Sequence, residues 1–242
     1  VRSTPDGGFT VEPIAWDALV KRRDPQATEW TVDHADLAAS LQRRIEEVLL
    51  DLVRWLHAAS GGVPRLALAG GVALNCVANA RIAREGPFTD VWVQPAAGDA
   101  GTALGAALHV TAAGGVAPAP MPGADLGRGF SDDEIETTLR RARIPYARPP
   151  SVAETAADVL AADGVVAWFQ GRAEYGPRAL GHRSLLAHPG VAANTERLNE
   201  VKGREQFRPV APMVLAERAA EIFDRVLPSP YMLFTHRVRD GW

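Results

Sequence analysis

Residues 66–79 read LALAGGVALNCVAN: an apolar run meets two glycines and continues in a helical pattern. A strand that turns directly into a helix belongs to layered α/β folds, in which helices cover a partly parallel sheet. The neighbouring sequence repeats the alternation. Residues 65–69 read as a buried strand, 72–84 as a helix, 90–94 (DVWVQ) as a second strand, and 100–113 as an alanine-rich helix suited to close packing on a sheet. Ahead of them, Leu37, Leu41, Ile45, Val48, Leu52 and Leu56 recur every three or four residues, which predicts a helix over 35–58 with those six on its buried face. Gly61, Gly62 and Pro64 end it. Residues 8–14 (GFTVEPI) predict a short strand, and 17–33 a loop.

The stretch GGVAPAPMPG at 114–123 breaks both periodicities and predicts a connection between two parts, 1–123 and 124–242. Beyond it, Ser131 and Glu134 have the spacing of a capping box opening a helix to about residue 143. A helix over 151–162 and a buried strand over 164–169 (GVVAWF) follow. Residues 170–212 are dense in Gly, Arg, His and Pro, with little regular period apart from a helix over 192–200. Such a segment between apolar elements predicts a functional surface.

Composition excludes more than it assigns. The net charge of −3 gives no electrostatic reason to expect nucleic acid as a partner. No apolar stretch approaches the roughly 20 residues that span a bilayer, so no membrane is expected either. One cysteine, Cys76, rules out an internal disulfide and fits a reducing cytoplasm. Cys76 itself reads as a small core residue, and His34 and His57 as surface. No two histidines have ligand spacing on one helix face, and no GxSxG nucleophile elbow is present. The chain opens without methionine and closes just after the apolar run YMLF, and is expected to be part of a longer protein.

Four stretches carry candidate chemistry. In GGVALN (70–75), Gly70 and Gly71 either let a phosphate approach a helix N-terminus, with Asn75 as a polar contact, or simply allow a tight strand–helix junction. In AAGDAGTALGAA (96–107), Asp99 beside Gly98 reads as a helix cap or as a carboxylate at the mouth of a strand, where open α/β sheets bind ligands. Both stretches put glycines at strand ends, so they could line one cleft. In FQGRAEYGPRALGHRSLLAHP (169–189), Arg172, Arg178, His182 and Arg183 are interleaved with glycines around Tyr175, a pattern suited to a phosphorylated ligand because the guanidinium fork binds such groups bidentately. In NEVKGREQFRPVAP (199–212), Lys202, one of only two lysines, and Arg208 look like a second wall of an anion site.

Taken together and in this order, GGVALNCVANARI, QPAAGDAGTALGAAL, VVAWFQGRAEYGPRALGHRSLLAHP and LNEVKGREQFRPVAP resemble the carbamoyltransferases of the type that acts on nodulation factors and antibiotics. The resemblance implies an α/β chain holding the second half of an actin/Hsp70-like (ASKHA) domain followed by the start of a YrdC-like domain. It implies ATP and carbamoyl phosphate as co-substrates, a carbamoyl-adenylate intermediate, a divalent metal (iron for transfer, magnesium with ATP) and a small-molecule hydroxyl acceptor. On it, Gly70, Gly71, Asn75 and Gly98 match the nucleotide cradle, and Asp99 matches a metal ligand. Arg172, Tyr175, Arg183 and Arg208 match the stretches that hold ATP and carbamoyl phosphate, with Arg178, His182 and Lys202 as the catalytic candidates. The family's other metal ligands, a histidine pair of HxxxH spacing, have no counterpart in these residues. The same folds serve tRNA threonylcarbamoylation, and a non-catalytic nucleotide-binding remnant is a third reading. Neither the acceptor nor the oligomeric state is legible.

Overall fold

The computed structural model describes residues 1–27 and 29–242. They form two units, Val1–Asp99 with Leu233–His236, and Ala100–Met232 with Arg237–Trp242.

The first unit opens with an antiparallel pair, β1 (Arg2–Ser3) and β2 (Phe9–Thr10), and a short helix, α1 (Trp16–Leu19). The helix expected over 35–58 is α2 (Val32–Ala59). It starts earlier because Thr31 and His34 close a reciprocal cap: the Thr31 hydroxyl accepts from the His34 N–H and the His34 ring accepts from the Thr31 N–H. Strands β3 (Arg65–Leu68) and β4 (Asp90–Val93) pair in parallel, Arg65 opposite Asp90 and Leu68 opposite Val93, with α3 (Cys76–Glu85) between them. This is the expected strand–helix–strand unit. The core under it is one apolar cluster: Leu50 and Val53 from α2, Leu66 from β3, Ile82 from α3, and Phe88. Burying each such side chain contributes about 1.5–3 kcal/mol.

Two expectations need correction here. Of the six expected core positions of α2, Val48 is buried and Leu37, Leu41 and Leu52 are half-buried, while Ile45 and Leu56 are 37% and 42% exposed and Leu50 and Val53, outside that set, are buried. The helix carries apolar residues on more than one face, and the sheet selects the stripe that reaches Leu66 and Phe88. His57 is half-buried rather than on the surface, its ring edge-on to Phe88 at 5.1 Å.

The second unit holds α4 (Ala100–Ala113), α5 (Asp132–Ala142), α6 (Val152–Ala161) and a hairpin of β5 (Val166–Phe169) and β6 (Arg183–Leu186), then α7 (Asn194–Val201) and a small antiparallel pair, β7 (Phe223–Asp224) and β8 (Arg237–Val238). The capping box is present as expected: Glu134 N–H donates to the Ser131 hydroxyl, and Ser131 N–H donates to the Glu134 carboxylate. The alanine-rich α4 does not pack into a core; none of its residues is buried. Small side chains permit a close approach but do not compel one. β5 alternates between half-buried and exposed positions instead of being buried on both faces. β6 falls in a segment whose period predicts no strand; it forms because Phe169 and Val166 find partners in Arg183 and Leu186 across the hairpin. Among the described residues of this unit, the buried apolar side chains are only Ala124, Leu198 and Ala219, joined by the buried amides of Asn194 and Asn199. Among the described residues no helix is long and apolar enough to cross a membrane.

Candidate functional site

The junction after β3 is a turn before it is a helix. Gly70 has φ +100° and ψ 159°, a conformation only glycine adopts without strain. A 3₁₀ turn, Gly71–Leu74, follows, and α3 begins at Cys76 rather than at residue 72. A Cβ added at Gly70 or Gly71 meets nothing within 4 Å. Crowding between strand and helix is therefore not the reason for the pair. Gly70 is there for its backbone angles, and Gly71 lies on open surface.

Asn75 is the cap of α3: its Oδ1 accepts from the Ala78 N–H at 3.1 Å, and its side chain also exchanges hydrogen bonds with the Gln42 amide, at 2.8 and 3.2 Å. Its side chain is thus already engaged within the fold. Fully buried Asn79 was invisible as a site residue, yet it ties the turn down, donating to the carbonyls of Ala73 at 2.8 Å and Leu233 at 3.1 Å.

The two glycine motifs of this unit do meet. Gly70 N–H donates to the Ala97 carbonyl at 2.7 Å, and a Cβ on Gly98 would stand 3.7 Å from Leu74 Cδ1. Asp99 follows directly and is exposed. Among the described residues, no group of three His, Cys, Asp or Glu side chains stands where it could hold a metal. Asp99 and its surroundings among the described residues therefore do not fit a complete metal site.

In the second unit, the connection from β5 to β6 gathers Arg172, Tyr175, Arg178, His182 and Arg183 onto one loop. Its shape depends on glycines at positive φ: Gly171 (+53°), Gly176 (+117°) and Gly181 (+102°). A Cβ at Gly171 would come within 3.1 Å of His182 Nδ1, so glycine also makes room for that ring. Two of the arginines are engaged with backbone carbonyls, one outside the loop and one within it. Arg172 donates to the carbonyls of Gly127 (2.7 Å) and Leu126 (3.0 Å). Arg183 donates to the carbonyls of Gln170 (2.6 Å), His182 (2.8 Å) and Gly171 (3.2 Å), and its guanidinium lies 3.6 Å from the centre of the Phe169 ring. Tyr175 donates its hydroxyl proton to the Ala100 carbonyl. Arg178 is half-buried with its Nε shut off from solvent, and His182 has a buried Nδ1 that makes no hydrogen bond.

The loop's organiser is an acid set among these cations. Glu174 Oε1 accepts from the backbone N–H groups of Leu180 (2.8 Å), His182 (2.7 Å) and Arg183 (3.3 Å). Burial pulls its carboxyl up, but these N–H groups outweigh that and hold it below the usual carboxylate range. A signal was available: a lone acid amid arginines on a glycine loop needs a partner, and backbone N–H groups can supply it.

Lys202 and Arg208 stand on a separate turn after α7. Lys202 follows the last turn of the helix and is exposed. Arg208 pairs with Glu205, both about half exposed, an ion pair of little stabilising value. The turn is built by fully buried Asn199, whose amide donates to the carbonyls of Gln206 (3.3 Å) and Arg208 (3.0 Å) and whose oxygen accepts from Arg204 Nε.

Comparison with known proteins bears on both units. Residues 17–108 match the family model described as Carbamoyltransferase N-terminus, and residues 157–242 match the one described as Carbamoyltransferase C-terminus. This chain belongs to the carbamoyltransferase family. It is 44% identical over 223 residues to Nodulation protein NolO of Bradyrhizobium diazoefficiens, covering 88% of this chain and 40% of that protein. It is 38% identical over 213 residues to Nodulation protein U of Sinorhizobium fredii, covering 86% and 36%. An uncharacterized protein of Synechocystis sp. is 44% identical over 230 residues, covering 90% and 37%. The chain thus spans about two fifths or less of the length of these relatives.

Proposed function

We propose that this chain is part of an ATP-dependent O-carbamoyltransferase, with the loop between β5 and β6 as the place where carbamoyl phosphate and ATP are held. In this reading the two units are portions of an ASKHA-like and a YrdC-like domain. Carbamoyl phosphate, water and ATP give carbamoyl-adenylate, inorganic phosphate and pyrophosphate. A hydroxyl oxygen of a small acceptor then attacks the carbamoyl carbon, AMP leaves, and the hydroxyl proton passes to a base. The turn at Gly70 and Gly71 cradles the adenylate in the transfer half, and the acceptor is a natural product or sugar.

The observation that carries the reading is the pre-arranged loop. Forming an adenylate brings polyanions together, and fixed cationic groups offset that repulsion without reorganising during the reaction. Arg178 supplies a guanidinium fork suited to phosphate oxygens, and His182 lies four residues further along the same loop. Arg172 ties the loop to the 126–127 segment and Arg183 holds three of the loop's own carbonyls, roles supported by their contacts to five backbone oxygens. Lys202 and Arg208 form the second cationic turn. Asn75 contributes as the cap that fixes the helix behind the cradle.

The test is pyrophosphate release from ATP in the presence of carbamoyl phosphate, measured on the full-length protein. Arg178→Ala is expected to lower the rate at least about a hundredfold, the order for removing one preorganised electrostatic contact. An unchanged rate with a folded variant refutes the role of this loop. Incubation with labelled carbamoyl phosphate, ATP and a panel of hydroxylated acceptors then identifies the acceptor class.

A further inference from the structure

The loop between β5 and β6 has an unusual way of satisfying its backbone. Across 180–183, the four consecutive N–H groups are taken by side chains: Leu180, His182 and Arg183 donate to Glu174 Oε1, and Gly181 donates to the Ser184 hydroxyl at 2.9 Å. No strand or helix ladder holds Leu180 or Gly181. Remove the carboxylate and three half-buried donors lose their acceptor together, an arrangement the backbone cannot keep without compensation. Glu174 is itself fixed, because the next residue's N–H, that of Tyr175, donates to the Ala124 carbonyl at 2.6 Å. The carboxylate therefore links an anchored point to the return half of the loop. Arg178 and His182 lie within the segment it closes.

We propose that Glu174 is a positioning residue: its carboxylate fixes the 174–183 loop in the form that presents Arg178 and His182 to a phosphorylated ligand. The proposal rests on the reading of this loop as a phosphate-holding site. It assigns specificity to an acid in a cationic loop, where a negative charge near the ligand would otherwise only repel it. Because Oε1 is occupied by three N–H donors, its charge is directed into the loop's backbone rather than toward a ligand. A rival arrangement makes a different forecast. The same three N–H groups could themselves be a phosphate nest that Glu174 fills, and its removal would then improve anion binding.

The experiment uses the full-length protein that contains this chain, as wild type, Glu174→Gln and Glu174→Ala, with amide resonances followed by NMR and inorganic pyrophosphate as the probe. Without ligand, Glu174→Ala is expected to move the amide protons of Leu180, His182 and Arg183 upfield together, while the amides of α5 and α7, in the same unit, stay in place and report an intact fold. Glu174→Gln keeps an acceptor oxygen without the charge, so its three amides are expected to lie between the other two proteins. Pyrophosphate affinity is expected to fall roughly 10- to 100-fold in Glu174→Ala, the order for displacing binding groups by a fraction of their reach, and to be partly restored in Glu174→Gln. Unmoved amides overturn the pin. Unchanged or tighter pyrophosphate binding in Glu174→Ala overturns the positioning role and favours the plugged nest. A wild type that does not bind pyrophosphate overturns the phosphate reading itself, and the amide shifts then still report whether Glu174 holds the loop.

Discussion

The two glycine-bearing turns of this chain are held by opposite means. The turn at Gly70 and Gly71 stands on an apolar foundation: β3 and α3 on either side of it send Leu66 and Ile82 into a cluster closed by Leu50, Val53 and Phe88. The loop from 170 to 183 has no buried apolar side chain of its own. It is held by Glu174, Arg183 and Ser184 bonding to its backbone, and by Arg172 bonding to the Gly127 carbonyl outside it. The difference teaches where tolerance lies. A turn on an apolar base keeps its shape largely through non-directional burial, so its exposed side chains can change except where a positive φ requires glycine. A loop pinned by polar contacts depends on geometry at each pin, so single substitutions redirect everything it carries.

The comparison can be broken most directly at its apolar end. Phe88→Ala is expected to cost about 3–5 kcal/mol, from lost burial and the cavity left behind, measured by urea unfolding. It should speed amide exchange in α2, β3 and α3. A cost below 1 kcal/mol would mean that the first unit does not depend on this cluster. At the polar end, Asn199→Ala removes a buried amide with three partners and leaves the carbonyls of Gln206 and Arg208 and the Arg204 Nε without it. The expected loss is roughly 2–3 kcal/mol, with exchange accelerating first at 199–209. Exchange rising equally in both units would contradict a local polar pin.

The smallest and sharpest contrast lies within one dipeptide. Gly70→Ala should cost about 1–3 kcal/mol although its Cβ has open space, because φ +100° is strained for alanine. Gly71→Ala should change stability by no more than about 0.5 kcal/mol, since it sits at an open surface with no positive φ. Should the two variants melt alike, backbone angle would not be what distinguishes these glycines.

Apolar period was a good guide wherever burial decides structure. It located α2, β3, β4 and the helix between them, and the hydrogen-bonding types of Ser131 and Glu134 located the start of α5. It gave only part of the buried surface of α2, naming Val48 but not Leu50 and Val53, because a helix with apolar residues on several faces does not say which face a sheet will choose. It gave α4 a packing role that its exposed residues do not have. It missed β6, whose pairing with β5 is decided across the hairpin and leaves no period of its own. For the candidate site, the cations of 172–183 were legible as a group, since arginine and glycine types survive in any reading of the string. Their division of labour was not. That Arg172 bonds to the carbonyls of Leu126 and Gly127, and Arg183 to carbonyls within the loop, is decided only by folding.

By itself, then, the sequence determined the α/β alternation, the places where glycine interrupts it, and membership in a family through the order of four motifs. Burial and residue type are properties of the string, and they carry that far. Tertiary structure alone decided that Asn75 is a helix cap bonded to Gln42, that Gly70 N–H meets the Ala97 carbonyl, and that Glu174 gathers three backbone N–H groups. Hydrogen bonds are directional and act over about 3 Å, so their partners exist only once the chain has folded.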